Sequence, residues 1–163
     1  MSTAQHEYDV QVTWTGNHGT GTSGYRAYGR EHDVSTAGAP TIPGSADPAF
    51  RGDPARWNPE QLQVAALSQC HMLWYLNLAA TAGIVVTAYE DRAHGVMRTN
   101  GTGGGRFESV ALHPHVTIAA GSDPAKAHAI HAQVPEVCFI ARSVNFPVHH
   151  APVITVQAAD GPA

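Results

Sequence analysis

The chain carries little charge, and one long stretch of it carries none. Only 13% of its 163 residues are charged, with a formal net charge of −4 and a pI near 6.2. That balance lacks the basic footprint of a nucleic-acid-binding protein. The first ten residues contain neither a basic segment nor an apolar run, so no secretory signal peptide is expected. We therefore expect a cytoplasmic protein with neither nucleic-acid nor membrane partners.

Cysteine is also scarce, since the chain has only Cys70 and Cys138. A chain without a secretion signal is expected to reside in a reducing compartment. There, two cysteines are more often catalytic, redox-active or metal-binding than joined in a structural disulfide. The low cysteine count therefore favours thiol chemistry or metal binding over a structural disulfide.

Histidine, in contrast, is abundant, with 11 residues. Six of them are candidates for an alternative metal site: His113, His115, His128, His131, His149 and His150. Two of these would share a strand face and two a helix face, but no compact cysteine and histidine spacing of a zinc module is present. Scattered surface or core histidines are the favoured interpretation. We expect no metal and no other cofactor.

The uncharged stretch, Gln61–Tyr89, lies mostly within a predicted helix. Asn58 suits the N-cap, Pro59 the first helical position, and Gly83 the left-handed residue that follows the last turn. Glu60 suits the positive end of the helix dipole. The helix would have about 24 residues and be roughly 36 Å long. Because apolar side chains occupy most of its circumference, we expect it to be buried at the centre of the protein.

Cys70 lies on a narrow, uncharged polar strip of this helix, in line with Gln63 and Asn77. On the helix alone, the cysteine is more often a small buried hydrophobe than a reactive group. The neighbouring His71 does not form a dyad with it, because adjacent helical side chains diverge by about 100°. We expect His71 to pack against another residue instead.

Period-two alternation predicts strands in much of the remaining chain. The predicted strands are Tyr8–Thr15, Tyr25–Val34, Ile84–Asp91, His94–Arg98, Phe107–Ala119 and Val153–Ala158. A second helix is predicted to begin at Pro124, with Ser122 or Asp123 as its cap. A further helical piece covers Pro135–Arg142, and Ser35–Trp57 is predicted to be an irregular loop. This order of elements predicts an α+β fold.

The segment FRGDPARWNPEQLQVAALSQCHMLWYLNLAATAGIVV resembles the centre of the OsmC/Ohr family of thiol-dependent peroxidases. The family motif is Asn-Pro-Glu at the helix start with a cysteine ten residues after the glutamate. Asn58, Pro59, Glu60 and Cys70 match it, and Cys138 matches the second cysteine expected near the end of the last helix. This paired spacing favours a catalytic role for Cys70 over a structural one.

The resemblance covers most of the chain from Tyr25 to Val156. It implies a single OsmC-like domain over residues 1–163, with antiparallel sheets wrapped around the long helix. It also implies an intertwined homodimer in which the two long helices are buried together. Such an interface is expected to be large and apolar.

The family further implies reduction of organic hydroperoxides, and more weakly of hydrogen peroxide, in oxidative-stress defence without haem, flavin or metal. By this resemblance Cys70 is the peroxidatic thiol and Cys138 the resolving thiol. A peroxide oxidises the first thiolate to a sulfenic acid, which condenses with the second thiol to a disulfide. An external dithiol, in this family in some cases a lipoylated protein, then reduces the pair.

In the family an arginine contacts the reactive thiolate and is held by the motif glutamate, which Glu60 matches. The arginine itself is open: Arg51 ranks first because it lies just before the helix, and Arg30 or Arg26 could reach in from the N-terminal hairpin. On an unbroken helix Glu60 and Cys70 lie about 15 Å and 80° apart. Either the helix kinks near its start or these groups reach across the dimer interface.

Two rival interpretations stay open. One is a paralogue with a different thiol chemistry or oxidant. The other is a non-enzymatic protein of the same fold that binds a small acyl or lipid-like molecule. Large apolar side chains could line a pocket in either case, namely Phe50, Trp57, Trp74 and Phe146.

Overall fold

The computed structural model describes residues 4–158, which divide into two compact units with the boundary after Leu62. The first unit contains an antiparallel sheet of three strands in the order β1–β2–β3. Its strands are β1 (Gln11–Trp14), β2 (His32–Ser35) and β3 (Ile42–Gly44). The start of the long helix α1 (Pro59–Thr81) also belongs to this unit. The expectation of a single domain stays a prediction.

The first unit is less regular at its hairpin, and more regular in its loop, than the sequence predicts. The expected strand Tyr25–Val34 forms only from His32, because the preceding residues turn: the Ala27 N–H donates to the Gly24 carbonyl at 2.9 Å. The expected loop Ser35–Trp57 contains β3 and a 3₁₀ turn at Pro48–Phe50. Short pieces of this kind have too few residues to produce a recognisable period.

Helix α1 has the predicted bounds and caps. The Asn58 side-chain oxygen accepts from the Gln61 N–H at 2.8 Å, and the Gln61 side-chain oxygen accepts from the Asn58 N–H at 3.2 Å. This reciprocal pair is a capping box. Gly83, with φ of 76°, follows the last turn. Beyond the helix, the Lys126 ammonium donates to the Ala82 carbonyl at 2.7 Å and so stabilises the negative end of the dipole.

Burial along α1 is concentrated on one face. Its fully buried side chains recur every four residues, at Leu67, His71, Tyr75 and Ala79. Leu73 is 61% exposed. In the single chain, therefore, the helix buries one face completely and leaves apolar surface on another, although the composition suggested burial on most of its circumference.

The second unit, described over residues 63–158, contains two sheets of three strands, in the orders β4–β7–β9 and β5–β6–β8. The strands are β4 (Val86–Asp91), β5 (His94–Thr99), β6 (Gly105–Leu112), β7 (Pro114–Ile118), β8 (Val148–His150) and β9 (Val153–Val156). The pairs β4–β7 and β5–β6 are antiparallel, as expected. The pairs β6–β8 and β7–β9 are parallel. Alternation specifies the face of a strand and not its direction, so the sequence does not reveal these pairs.

The predicted strand Phe107–Ala119 is in fact two strands in different sheets. The break lies at His113, whose N–H donates to the Asp91 side chain at 2.7 Å. Pro114 follows and has no N–H to donate to a ladder. The chain can therefore leave one sheet and enter the other at this point.

Two short helices cover the second unit. Helix α2 (Pro124–Ile130) is capped as predicted, because Asp123 accepts from two backbone N–H groups at 2.9 and 3.1 Å. Helix α3 (Val134–Val137) is separate from α2 and has Pro135 in its first turn, where proline is tolerated. The expected helical piece Pro135–Arg142 ends early because Cys138 adopts an extended conformation.

The second unit has two groups of buried apolar side chains. The larger one joins α1 to α2, α3 and β7, and it contains Tyr75, Val116, Ile130, Val134 and Cys138. Cys70 packs against this group from α1. The core of the second unit therefore brings the two cysteines to one place. Within residues 4–158, no helix is both long enough and apolar enough to cross a membrane.

Candidate active site

Cys70 and Cys138 are neighbouring free thiols. Cys70 projects from the middle of α1 and is partly buried, whereas Cys138 follows α3 and is 1% exposed. Burial and a side-chain hydrogen bond with Cys70 raise the pKa of Cys138 to about 11. At neutral pH only roughly one Cys138 in ten thousand is a thiolate. The structure therefore pairs a partly accessible thiol with a buried, protonated one.

A backbone group orients the buried thiol. The Ala141 N–H donates to the Cys138 sulfur at 3.5 Å, and this contact lowers the pKa against the larger effect of burial. The Cys138 N–H donates to the Val134 carbonyl at 2.9 Å, so its main chain is fixed as well. The sulfur is thus held by the turn that ends α3.

A cluster of three histidines lies beside Cys138, and its assembly was not predicted. His71 from α1, His131 from the turn after α2 and His150 from β8 form it, and the first two are 4% and 1% exposed. His71 Nε2 and His131 Nδ1 are 3.0 Å apart and share one proton between them. His150 Nε2 donates to the His131 carbonyl at 2.9 Å. The prediction that His71 packs against a neighbour is confirmed.

The histidine cluster is neutral near pH 7. Burial lowers the pKa of His71 to about 4, helped by repulsion from His150 and opposed by Asp91. Burial and repulsion among the rings lower the pKa of His131 to about 3. Among the described residues, no three histidine, cysteine or carboxylate side chains are arranged to hold a metal ion. The sequence signal for this cluster was the position of His71, four residues from both Leu67 and Tyr75 on the buried face of α1.

A small cavity connects the cluster to the buried thiol. It measures about 20 Å³, and Cys138, His71 and His150 line it together with apolar side chains. That volume accommodates about one water molecule. The cavity is too small for an acyl chain, so any such ligand would have to bind elsewhere.

Glu60 occupies the first turn of α1, where one of its carboxylate oxygens, Oε2, is buried. Among residues 4–158 that oxygen has no hydrogen-bond partner, and neither Arg51 nor Arg30 pairs with it. The structure thus leaves Glu60 able to accept a further donor. The pairing of Glu60 with Arg51 or Arg30 stays a prediction.

The two candidate arginines differ in how they are held. Arg51 is exposed and has φ of 67°, the left-handed conformation at the end of a 3₁₀ turn. Arg30 donates to the carbonyls of Tyr28 and Tyr25 at 2.6 and 2.9 Å. Its guanidinium carbon lies 4.1 Å from the ring centre of Tyr28 and 4.5 Å from that of Tyr25. Arg30 is therefore the better ordered of the two.

The aromatic residues proposed for an apolar pocket pack in separate places. Trp74 contacts Phe139, with ring centres 5.5 Å apart, and Phe146 contacts Phe107 at 5.3 Å. The first pair adjoins the core group that contains Cys138, and the second adjoins the other core group of this unit. Phe50 and Trp57 belong to the first unit and are both partly exposed. Their role in binding stays a prediction.

The fold and the site together define an α+β protein that holds two free thiols side by side, one on a long helix and one buried. The sequence profile of the OsmC-like protein family matches residues 52–151, and the chain belongs to this family. An OsmC-like protein of unknown function from Vibrio cholerae is 32% identical, with a TM-score of 0.82. The similarity covers 91% of this chain and all of that one. The OsmC-like α+β fold predicted from the sequence is confirmed.

Two further solved structures share the fold at lower identity. An organic hydroperoxide resistance protein from Legionella pneumophila is 21% identical, covers 93% of this chain and all of its own, and has a TM-score of 0.65. An organic hydroperoxide resistance protein from Elizabethkingia anophelis is 18% identical, covers 94% of this chain and all of its own, and also has a TM-score of 0.65. No curated protein matches the chain significantly.

Proposed function

We propose that this chain is a cysteine-based peroxidase that reduces organic hydroperoxides, and more weakly hydrogen peroxide. Cys70 is the peroxidatic thiol and Cys138 the resolving thiol. The observation that carries the proposal is the unequal burial of two adjacent sulfurs. A peroxide can reach the partly buried Cys70, whereas the protonated and buried Cys138 is a poor nucleophile until its partner has been oxidised.

The reaction follows from that arrangement. The Cys70 thiolate attacks one peroxide oxygen, the O–O bond breaks, and the departing alkoxide takes a proton to give an alcohol. Cys70 is left as a sulfenic acid. The Cys138 sulfur then attacks the Cys70 sulfur, water leaves, and a disulfide forms. Two electrons from an external dithiol, such as the dihydrolipoyl group of a lipoylated protein, restore both thiols through disulfide exchange.

Related proteins support a peroxidase role. The two relatives described as organic hydroperoxide resistance proteins have the same fold as this chain. Their identity to it is low, and the relative at 32% has no known function. Substrate preference therefore needs direct measurement.

The decisive experiment is a steady-state assay that compares cumene hydroperoxide with hydrogen peroxide, using a dihydrolipoyl donor. Mass spectrometry after a brief peroxide pulse should find a Cys70–Cys138 disulfide. Cys70→Ser serves as the matched control and should remain unmodified at position 138. Unmodified thiols in the wild-type chain would instead favour the alternative, a binding protein for acyl or lipid-like molecules.

We further propose that Glu60 and an arginine keep Cys70 ionised. The buried, unpartnered oxygen of Glu60 supports a missing cationic donor at that position. A cation lowers the pKa of a thiol and so increases the thiolate fraction. Arg51 and Arg30 are the candidates: the guanidinium of Arg30 already donates to two backbone carbonyls, whereas Arg51 is exposed.

The working form is proposed to be a homodimer in the cytoplasm. Leu73 on α1 is 61% exposed and Phe139 beside Trp74 is 70% exposed. These side chains are large and apolar, and a second copy of the chain would remove them from water. Dimer interfaces of this kind are more hydrophobic than ordinary protein surface. Light scattering at micromolar concentration tests the proposed homodimer, and a monomeric mass would exclude it.

A further inference from the structure

Three histidine rings lie beside Cys138, and the peroxide chemistry proposed above uses none of them. His71 and His150 line the same small cavity as the Cys138 thiol. His131 lies behind them, hydrogen-bonded to the ring of His71 and to that of His150. The ring of His71 packs edge-on against His150, with centres 5.4 Å apart. These contacts hold His150 in one orientation.

The protonation state of His150 can be assigned from its partner. A carbonyl oxygen only accepts hydrogen bonds, so the His150 nitrogen that contacts the His131 carbonyl, Nε2, carries a hydrogen. In the neutral ring the other nitrogen, Nδ1, is therefore an unprotonated acceptor. Burial, with repulsion from His128 and His149, lowers the pKa of His150, so the neutral ring dominates at pH 7. His150 thus has one available basic nitrogen.

The disulfide-forming step needs such a group. The nucleophile in disulfide formation is a thiolate, and burial raises the pKa of Cys138 to about 11. Only roughly one molecule in ten thousand has that thiolate ready at pH 7. A base that removes the proton while the sulfur–sulfur bond forms avoids this penalty.

We propose that His150 is the proton acceptor for the Cys138 thiol when the disulfide forms. The inference rests on the two-cysteine reaction proposed above. The Cys138 proton passes to His150 Nδ1, directly or through one water in the shared cavity, and the sulfur electron pair forms the bond to the Cys70 sulfur. The S–O bond of the Cys70 sulfenic acid breaks. The departing hydroxide takes the proton from His150 and leaves as water, so the ring is neutral again and no external oxidant or reductant is consumed.

The test separates the two chemical steps in a single turnover. Fully reduced protein is mixed with one equivalent of cumene hydroperoxide, quenched with an alkylating reagent and analysed by mass spectrometry for sulfenic acid and disulfide. His150→Gln retains an N–H donor for the His131 carbonyl and removes the basic ring nitrogen. His113→Gln, a change at an exposed histidine, is the matched control.

In His150→Gln, peroxide consumption should stay within about twofold of wild type, while disulfide formation slows by about a hundredfold. The disulfide rate should be nearly flat from pH 7 to 9 in wild type, where His150 is neutral. In the variant it should rise about tenfold per pH unit, because the thiol must then ionise unaided. His113→Gln should behave as wild type in both steps.

Two results would overturn the inference. One is disulfide formation in His150→Gln with the wild-type rate and pH profile. The other needs no variant. If the rate of disulfide formation in wild type itself rises tenfold per pH unit, no internal base acts on the Cys138 thiol. Failure of the proposed function is distinguishable from both, because a wild-type chain that consumes no peroxide fails before the disulfide step. The inference then fails with it.

Discussion

Acidification should destabilise this fold through its buried histidines. His71 has a pKa of about 6.5 when unfolded and about 4 when folded, because burial disfavours its charged form. Between those values the unfolded chain binds more protons than the folded one. Stability is therefore fully present above pH 6.5 and is lost as the pH falls toward 4.

The magnitude follows from the difference between the two states. For His71 alone, the shift corresponds to a loss of about 3 kcal/mol between pH 7 and pH 4. His131 shifts in the same direction, to about 3, but the two rings share a proton, so their effects do not add. Domains of this size have stabilities of only about 5–15 kcal/mol, so the loss from one ring is a large fraction of the total.

Urea unfolding, followed by tryptophan fluorescence at half-unit steps from pH 7 to 4, measures the effect at fixed protein concentration. The variant His71→Gln cannot be protonated, so its stability curve should be flatter than that of wild type by about 3 kcal/mol over this range. The exposed His113→Gln is the control and should follow wild type. Parallel curves for wild type and His71→Gln would refute the reasoning.

Three further predictions concern the thiols, the activating arginine and assembly. Cys70→Ser should abolish all peroxide turnover, whereas Cys138→Ser should reduce one equivalent and then stall as sulfenic or over-oxidised protein; identical single-turnover behaviour would contradict the assigned roles. Removing the activating arginine should slow peroxide attack by Cys70 at neutral pH, with partial recovery at high pH. Arg30→Ala and Arg51→Ala are compared, and if neither alters the pH profile another group activates the thiol. Leu73→Asp should convert a dimer to a monomer in light scattering, while Gln69→Asp on the same helix is the polar control.

The sequence predicts the regions whose signals are local. Helix α1 is bounded by Asn58, Pro59 and Gly83, each of which acts within one turn of the helix end. Asp123 likewise caps α2 as expected. The parallel pairing of β6 with β8 depends on contacts between distant segments, and alternation carries no information about it. The break at His113 combines a distant contact, to Asp91, with a local signal that the alternation obscured, Pro114.

The same distinction applies to the site. Cys70 and Cys138 could be paired only through the family motif, since 68 positions separate them in the chain. The histidine cluster was not found, because His71, His131 and His150 come from three elements that only the tertiary fold brings together. The one local indication of the cluster was His71, a polar residue on the apolar face of α1.

Unequal burial supports the different roles proposed for the two chemically identical thiols. Cys138 is enclosed by the core and holds its proton, so it is protected from direct oxidation. The same burial would make it inert toward its oxidised partner unless a base lies within reach. A neutral histidine, as proposed for His150, would meet that need without placing a charge in the core, because a lowered pKa keeps the ring uncharged while leaving a nitrogen lone pair. Enclosure of the proposed resolving thiol and neutrality of the adjacent rings are therefore two consequences of one buried environment.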